Sequence, residues 1–243
     1  MDYTSVFERR EIKFLCPVSS IDRLIQSIEG HATRDRYAHS SVRSVYYDTP
    51  DFRVIRRSIE KPCYKEKLRL RCYGEVDGDS SVFVEMKKKY KGIVYKRRVA
   101  LPLSCAEAWL SGGDRPYDTQ ICREIDYFRD YYSSLRPTVY LTYEREAYVG
   151  CEDRGLRLTL DTDVRAEFNF PSLLGAPTGI SVLPPGTVLF EVKTPVGIPL
   201  WLARVLSELK IYKTSFSKYG EAYIKNISIK ENSNNGKHFC RNI

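Results

Sequence analysis

Apolar and polar residues alternate with a period of two through eight stretches of the chain: residues 7–15, 42–48, 64–73, 81–90, 93–101, 137–149, 156–161 and 188–193. That period predicts β-strands, in which residues two apart share a face. The polar positions in these stretches carry strong charge. Glu11 and Lys13 open the pattern. Arg69 and Arg71 follow, then Glu85, Lys87 and Lys89, and finally Glu191 and Lys193. Each strand therefore has an apolar face and a face of mixed charge. One or two such strands could turn the charged face to solvent. Five or six of them predict a sheet rolled up with its charges inside.

Helical spacing appears between the strands. Ile21, Leu24, Ile25 and Ile28 form a stripe ending near Gly30, with Ser19 and Ser20 placed to cap it. Thr49-Pro50-Asp51 breaks a strand and starts a short helical turn. Residues 105–110 and 118–132 read as helices, the second with Ile121, Ile125, Phe128 and Tyr132 on its buried face. Residues 199–209 read as a helix with Leu200, Trp201, Val205 and Leu209 inward, and 216–227 as the last helix. Residues 74–80 and Lys91-Gly92 read as hairpin connections, and 171–186 as a Pro/Gly-rich loop. Strands joined mostly by hairpins predict an α+β fold: an antiparallel eight-stranded β-barrel with helices packed outside. With no repeat or linker, residues 1–230 read as one domain. Residues 231–243, beginning Glu-Asn-Ser-Asn-Asn-Gly-Lys, read as a disordered tail.

Composition narrows the function. A net charge of +8 over 243 residues, with a pI near 9.0, implies an anionic partner. No apolar run reaches the length of a membrane span, and the first residues lack the pattern of a secretory leader. Seven scattered cysteines without a C-x-x-C argue against a disulfide framework or zinc site and for a reducing, cytoplasmic location. The three histidines show no ligand spacing.

The candidate chemistry lies on the charged faces. Lys13, Arg69, Arg71, Lys87, Lys96, Arg145 and Arg157 fall on the strands, and Lys218 near the start of the last helix. Arginine suits bidentate contact with phosphate oxygens, and lysine supplies a point charge. Glu11, Glu85, Asp161 and Glu191 sit among these cations. Either these acids are structural, each glutamate pairing with the lysine two positions on, or they ligate a hard divalent cation; Glu191 is the preferred ligand, and the choice is open for Glu11, Glu85 and Asp161.

An ordered set of motifs carries a family resemblance. Phe7-Glu8-Arg9-Arg10-Glu11-Ile12-Lys13-Phe14, the segment from Ser44 to Phe52, Lys67-Leu68-Arg69-Leu70-Arg71-Cys72-Tyr73-Gly74 and Phe83-Val84-Glu85-Met86-Lys87 occur in that order. Tyr143-Glu144-Arg145, the segment from Arg157 to Asp163, Glu191-Val192-Lys193 and Ser215-Phe216-Ser217-Lys218-Tyr219 follow. Together, over residues 7–223, they resemble the VTC (vacuolar transporter chaperone) domain, a polyphosphate polymerase within the CYTH-like superfamily of triphosphate tunnel metalloenzymes. The resemblance implies an eight-stranded tunnel that transfers the γ-phosphate of ATP to a growing inorganic polyphosphate chain, with Mn²⁺ or Mg²⁺. It implies phosphate-binding roles for the eight basic residues above, hydrogen bonds to phosphate from Tyr143 and Ser217, and metal ligation by Glu191. The superfamily's opening Glu-x-Glu-x-Lys is here Arg9-x-Glu11-x-Lys13, which fits the polymerase branch better than the triphosphatases or adenylate cyclases. The chain resembles a free-standing bacterial version without a membrane segment, with a membrane partner as an option.

ATP and polyphosphate are thus the expected partners. Alternatives are a metal-dependent inorganic or nucleotide triphosphatase, in which water takes the acceptor's place, and a module that binds polyphosphate without turnover. Nucleic acid is not an expected partner, because its binders carry basic residues with stacking aromatics on an open face. Here the cations alternate within strands and are mixed with glutamate.

Overall fold

A computed structural model describes residues 10–169, 171–176 and 178–239. Eight long strands dominate it: β1 (Arg10–Pro17), β2 (Ala32–Asp48), β3 (Tyr64–Tyr73), β4 (Ser81–Tyr90), β5 (Ile93–Pro102), β6 (Arg136–Gly150), β7 (Arg157–Glu167) and β9 (Thr187–Thr194). Two short pieces, β8 (Ile180–Ser181) and β10 (Lys213–Thr214), complete the sheet. Six helices accompany them: α1 (Ile21–Ile28), α2 (Arg53–Ile59), α3 (Leu103–Leu110), α4 (Gln120–Tyr132), α5 (Leu200–Glu208) and α6 (Lys218–Phe239).

The strands form one antiparallel sheet in the order β10-β1-β9-β7-β6-β2-β3-β4-β5, with β8 beside β7. The sheet curls until Lys87 of β4 reaches Glu11 of β1, at 2.6 Å. Among the described residues no backbone ladder joins β5 to β1, so the expected closed barrel is there a deeply curled open sheet.

Alternation along the strands decides what faces where. On the convex side, Leu68, Leu70, Val82, Val84 and Met86 pack under α3 and α4, against Trp109, Ile125 and Phe128. At the other end of the sheet, Phe14, Leu158, Leu160, Phe190 and Val192 pack under α1 and α5. The concave side has an apolar patch of its own, where Tyr46, Val139, Leu141 and Val164 meet Phe216, Tyr219 and Tyr223 at the start of α6. Helices thus cover the outside, and α6 plugs part of the inside.

Asp48 holds this plug. Its carboxylate is fully buried and accepts hydrogen bonds from the backbone amides of Thr49, Val54 and Ile55 and from the Tyr219 hydroxyl, at 2.8–2.9 Å. It ties the end of β2 to the first turn of α2 and to α6. Asp48→Ala is expected to cost about 3 kcal/mol, because four donors lose a charged acceptor. The melting temperature should fall by roughly 6–12 °C in a protein of this size. A drop under about 2 °C would mean that water replaces the carboxylate at little cost.

The structure differs from the sequence reading in several places. β2 begins ten residues before the expected strand at 42, and the two-residue strands went unread. Ser20 does not cap α1; its hydroxyl donates to the Pro17 carbonyl, and a 3-10 turn at Val18–Ser20 leads into the helix. In α5 the fully buried positions are Leu202 and Leu206. Of the expected stripe, Trp201, Val205 and Leu209 pack half-buried against the same core, and Leu200, at 67% exposed, does not. α6 continues to Phe239, through the start of the segment read as a tail; residues 240–243, and Phe7-Glu8-Arg9 of the first expected strand, lie outside the described residues. Among the described residues, six cysteines are free thiols, and no helix is long and apolar enough to cross a membrane.

Candidate functional site

The concave face gathers the charges that the alternation predicts. Its register is set by the ladders: Arg69 lies opposite Glu85 and Tyr46, Lys67 opposite Lys87, Lys87 opposite Lys96, Lys13 opposite Glu191, and Arg145 opposite Asp161. Residues opposite one another share a face and bring their Cβ atoms within about 5 Å. A sheet with this register therefore cannot avoid crowding its cations and carboxylates.

Two charge networks result. In the first, Glu85 on β4 is 1% exposed. It accepts from Arg69 Nε at 2.9 Å and Nη2 at 2.7 Å, meets Lys96 at 2.6 Å and lies 3.8 Å from Arg71. Arg69 also donates to the Tyr46 hydroxyl at 2.8 Å. Arg71 donates to Ser44 Oγ and to the Tyr143 hydroxyl, both at 3.1 Å. Two arginines are thus fixed side by side with donors to spare, since each guanidinium carries five N–H groups.

The second network surrounds Glu191 on β9 and Asp161 on β7. Asp161 accepts two hydrogen bonds from Arg145, at 2.6 and 2.7 Å, and a third from Lys218 at the start of α6. Glu191 meets Lys218 at 3.1 Å, Lys13 at 3.2 Å, Arg145 at 3.5 Å and Lys193 at 3.6 Å. Its carboxyl group is held well below the usual range: burial opposes ionisation, but Lys13 and Lys218 overcome it. Glu11, paired with Lys87, is lowered to about 2, with burial again outweighed by lysines. Burial lowers Lys13 and Lys96 despite their glutamate partners, and lowers Lys193 to about 8.

Among the described residues, nine basic side chains (Lys13, Lys67, Arg69, Arg71, Lys87, Lys96, Arg145, Lys193 and Lys218) surround four carboxylates, those of Glu11, Glu85, Asp161 and Glu191. The fully charged site is strongly positive, an arrangement that costs free energy unless an anion relieves it. Lys67 is its least compensated member. Its ammonium donates to Ser217 Oγ at 2.9 Å, and no carboxylate pairs with it. Burial first, then Lys87 and Lys13, push its pKa well below the usual lysine value.

Lys13, Arg69, Arg71, Lys87, Lys96, Tyr143, Arg145, Ser217 and Lys218 therefore come together as the sequence reading expected. Arg157 does not. It sits at the first position of β7, is 46% exposed, and pairs with Asp35 of β2 at 2.6 Å. Alternation gave the right face, but the strand end puts it at the rim. The expectation that each glutamate pairs with the lysine two positions on holds only for Glu191 and Lys193. The other carboxylates take partners from other elements: Glu85 and Asp161 meet arginines directly across their ladders, and Glu11 meets Lys87 across the curl of the sheet.

Lys67, Lys193, Tyr46 and Thr159 belong to the site but stood outside the expected set. For the two lysines the signal was present, since both continue the alternation of Arg69 and Glu191. Thr159 gave none. It faces Glu191 across the β7–β9 ladder, is 5% exposed, and its hydroxyl has no hydrogen-bond partner.

The donor set bears on a metal. Among the described residues, no cluster of three or more His, Cys, Asp or Glu could cage an ion. Magnesium and manganese need no such cage when phosphate oxygens complete the shell, and one or two carboxylates suffice. Glu191, with the orphaned Thr159 hydroxyl opposite, fits that second mode. Glu85 and Asp161 fit it less well, because guanidinium groups hold their oxygens at 2.6–2.9 Å, whereas Glu191 Oε2 has only longer contacts, with Arg145 at 3.5 Å and Lys193 at 3.6 Å.

Comparison with known proteins gives the family and the fold. The family model of the VTC domain matches residues 8–226. The vacuolar transporter chaperone complex subunit 4 of Trypanosoma brucei brucei (strain 927/4 GUTat10.1) is 24% identical over 211 residues, covering 67% of this chain and 26% of that protein. The chain thus spans about a quarter of that relative's length. Two solved structures share the fold. A putative adenylate cyclase from Bacillus halodurans superposes with a TM-score of 0.55 at 16% identity, over 88% of this chain and 96% of the other. A putative adenylyl cyclase from Hippeastrum, described as having a dominant triphosphatase activity, gives 0.51 at 16% identity, over 90% and 96%.

Proposed function

Since the chain belongs to the VTC domain family, we propose that it is a polyphosphate polymerase, transferring the γ-phosphate of ATP to a growing polyphosphate chain with the help of Mn²⁺ or Mg²⁺. The observation that carries this reading is the excess of nine basic side chains over four carboxylates on one concave face. A nucleoside triphosphate brings roughly four negative charges at neutral pH and would offset most of that excess. The free cysteines are consistent with a cytoplasmic enzyme.

Phosphoryl transfer requires alignment and charge neutralisation more than a covalent catalyst. Arg69 and Arg71, locked by Glu85, Tyr46, Ser44 and Tyr143, hold the triphosphate with their remaining N–H groups. Arg145 and Lys218, locked by Asp161, neutralise charge at the transferring end. A divalent ion, when bound, would sit on Glu191 and supply further charge neutralisation at the phosphate oxygens. The attacking oxygen belongs to the terminal phosphate of the acceptor chain, which is already largely ionised near neutral pH and needs no general base.

The decisive experiment is incubation of the purified protein with ATP and Mn²⁺, with products resolved on a gel. A ladder of lengthening polyphosphate supports the proposal. Release of orthophosphate without a ladder would make the protein a triphosphatase. Binding without consumption of ATP would leave only a polyphosphate-binding module.

A second expectation concerns protons. The pKa of Lys67 is depressed by burial and by neighbouring lysines, so in the empty site it holds its proton weakly. An incoming polyanion reverses the Coulombic part and raises that pKa. Binding of tripolyphosphate should therefore take up protons over the pH range in which Lys67 titrates in the empty site, below the usual lysine range, seen as a dependence of the calorimetric enthalpy on buffer ionisation heat. Lys67→Met should reduce the uptake. Equal uptake by both proteins would place the proton elsewhere.

A further inference from the structure

The charged face does not end at the two networks. Beyond them, towards the β4–β5 turn, lysines face lysines. Lys67, Lys87 and Lys96 form one rung across β3, β4 and β5, and Lys65 opposite Lys89 forms the next rung out. Successive rungs are about 7 Å apart along the strands. Like charges placed directly opposite one another destabilise a sheet, and a solvated outer face would be expected to alternate sign. Here only Lys87 and Lys96 have carboxylate partners. Among the described residues, no carboxylate pairs with Lys65, Lys67 or Lys89. Lys65 instead donates to the Ser58 carbonyl at 3.2 Å, and its pKa is lowered by burial, then by Lys89 and Lys61.

We infer that the Lys65–Lys89 rung is a second anion subsite, one that grips the polyphosphate chain outside the reaction centre. This rests on the polymerase reading and adds a direction to it: the chain lies along the β3–β4 rim, past Lys67 and Ser217. The residue types support a polymer over a second small anion. The inner site uses arginines clamped by hydrogen bonds, which fix one phosphate geometry. The outer rungs are lysines, which attract phosphate without imposing orientation and so let a repeating polyanion move along them.

The test compares ligands of different length. Wild type and Lys65→Ala/Lys89→Ala are titrated with long-chain polyphosphate and with tripolyphosphate, both without turnover. The double variant should bind the long chain about tenfold more weakly, and the slope of log affinity against log salt should fall by about one to one and a half, as expected for two lost contacts. Tripolyphosphate affinity should change less than about twofold, since the inner site retains its cations. The melting temperature should stay level or rise, because the repulsion is gone. Lys65→Gln/Lys89→Gln keeps most of each stem and should behave alike, and Lys230→Ala, at an exposed position, should match wild type. If both double variants bind the long chain as wild type does, the subsite is refuted. If both ligands weaken equally, the rung belongs to the inner site and the inference also fails. Neither outcome depends on whether wild type extends chains in the gel assay, which separately tests the polymerase reading.

Discussion

Glu191→Gln is expected to abolish turnover while leaving nucleotide capture intact. The substitution keeps the shape and removes one negative charge from a carboxyl group contacted by Lys13, Lys218, Arg145 and Lys193. The site becomes more positive, so ATP measured without metal should bind as well as before or better. A hard cation loses its carboxylate, and the charge stabilisation a metal supplies is worth several kcal/mol in the transition state. Turnover should fall by at least about a thousandfold, the equivalent of roughly 4 kcal/mol. Stability separates this from a structural effect. Three of the four cations around Glu191 are lysines, which can shed protons when their partner disappears. Glu85 is held by Arg69 and Arg71, which cannot. Glu85→Gln should therefore lower the melting temperature more than Glu191→Gln. Activity of Glu191→Gln within a few-fold of wild type would move the metal role to Glu11, Glu85 or Asp161.

The arginine pair should show the next largest effect, and the two members should differ. Each charge-assisted hydrogen bond to phosphate is worth about 1.5–3 kcal/mol. Arg69→Ala and Arg71→Ala should each lower kcat/KM by roughly ten- to a hundredfold. Arg71 has only a distant contact with Glu85, at 3.8 Å, and otherwise donates to two hydroxyls. Its removal should cost activity with little change in melting temperature. Arg69 makes two short bonds to Glu85, so its loss strands a buried carboxylate. That variant should lose both activity and stability, in line with the penalty for breaking a buried pair. If Arg71→Ala melts far below wild type while its folded fraction keeps full specific activity, Arg71 is structural and the site assignment fails.

Much of the site was legible before the fold was known, for a local reason. Cβ atoms alternate across a strand, so Lys-Leu-Arg-Leu-Arg in β3 and Phe-Glu-Val-Lys in β9 already state which side chains share a face. Apolar neighbours such as Leu68, Leu70 and Phe190 then decide which face is core. The strands β3 and β4 were bounded correctly at both ends by this pattern together with their turn residues. In α5 helical spacing found Trp201, Val205 and Leu209, which pack against the core, but missed the fully buried Leu202 and Leu206, because a short helix rich in apolar residues has no unique stripe.

The sequence by itself therefore determined the existence of the eight long strands and their one-sided charge, which depend on neighbours two residues apart, and the antiparallel class, which follows from the short hairpin turns. Tertiary structure alone decided the rest. Which carboxylate meets which cation follows from ladder register: Lys13 meets Glu191, and Arg145 meets Asp161, because those pairs lie opposite one another. That Arg157 lies at the rim with Asp35, while Arg145 lies inside, depends on where β7 begins. Lys218 reaches the centre only because Asp48 and Tyr219 dock α6 into the concave face. The Thr159 hydroxyl is left without a partner because the register places it opposite Glu191, whose oxygens already face four cations. These are contacts between residues far apart in the chain, and no local period encodes the curl that brings them within hydrogen-bonding reach.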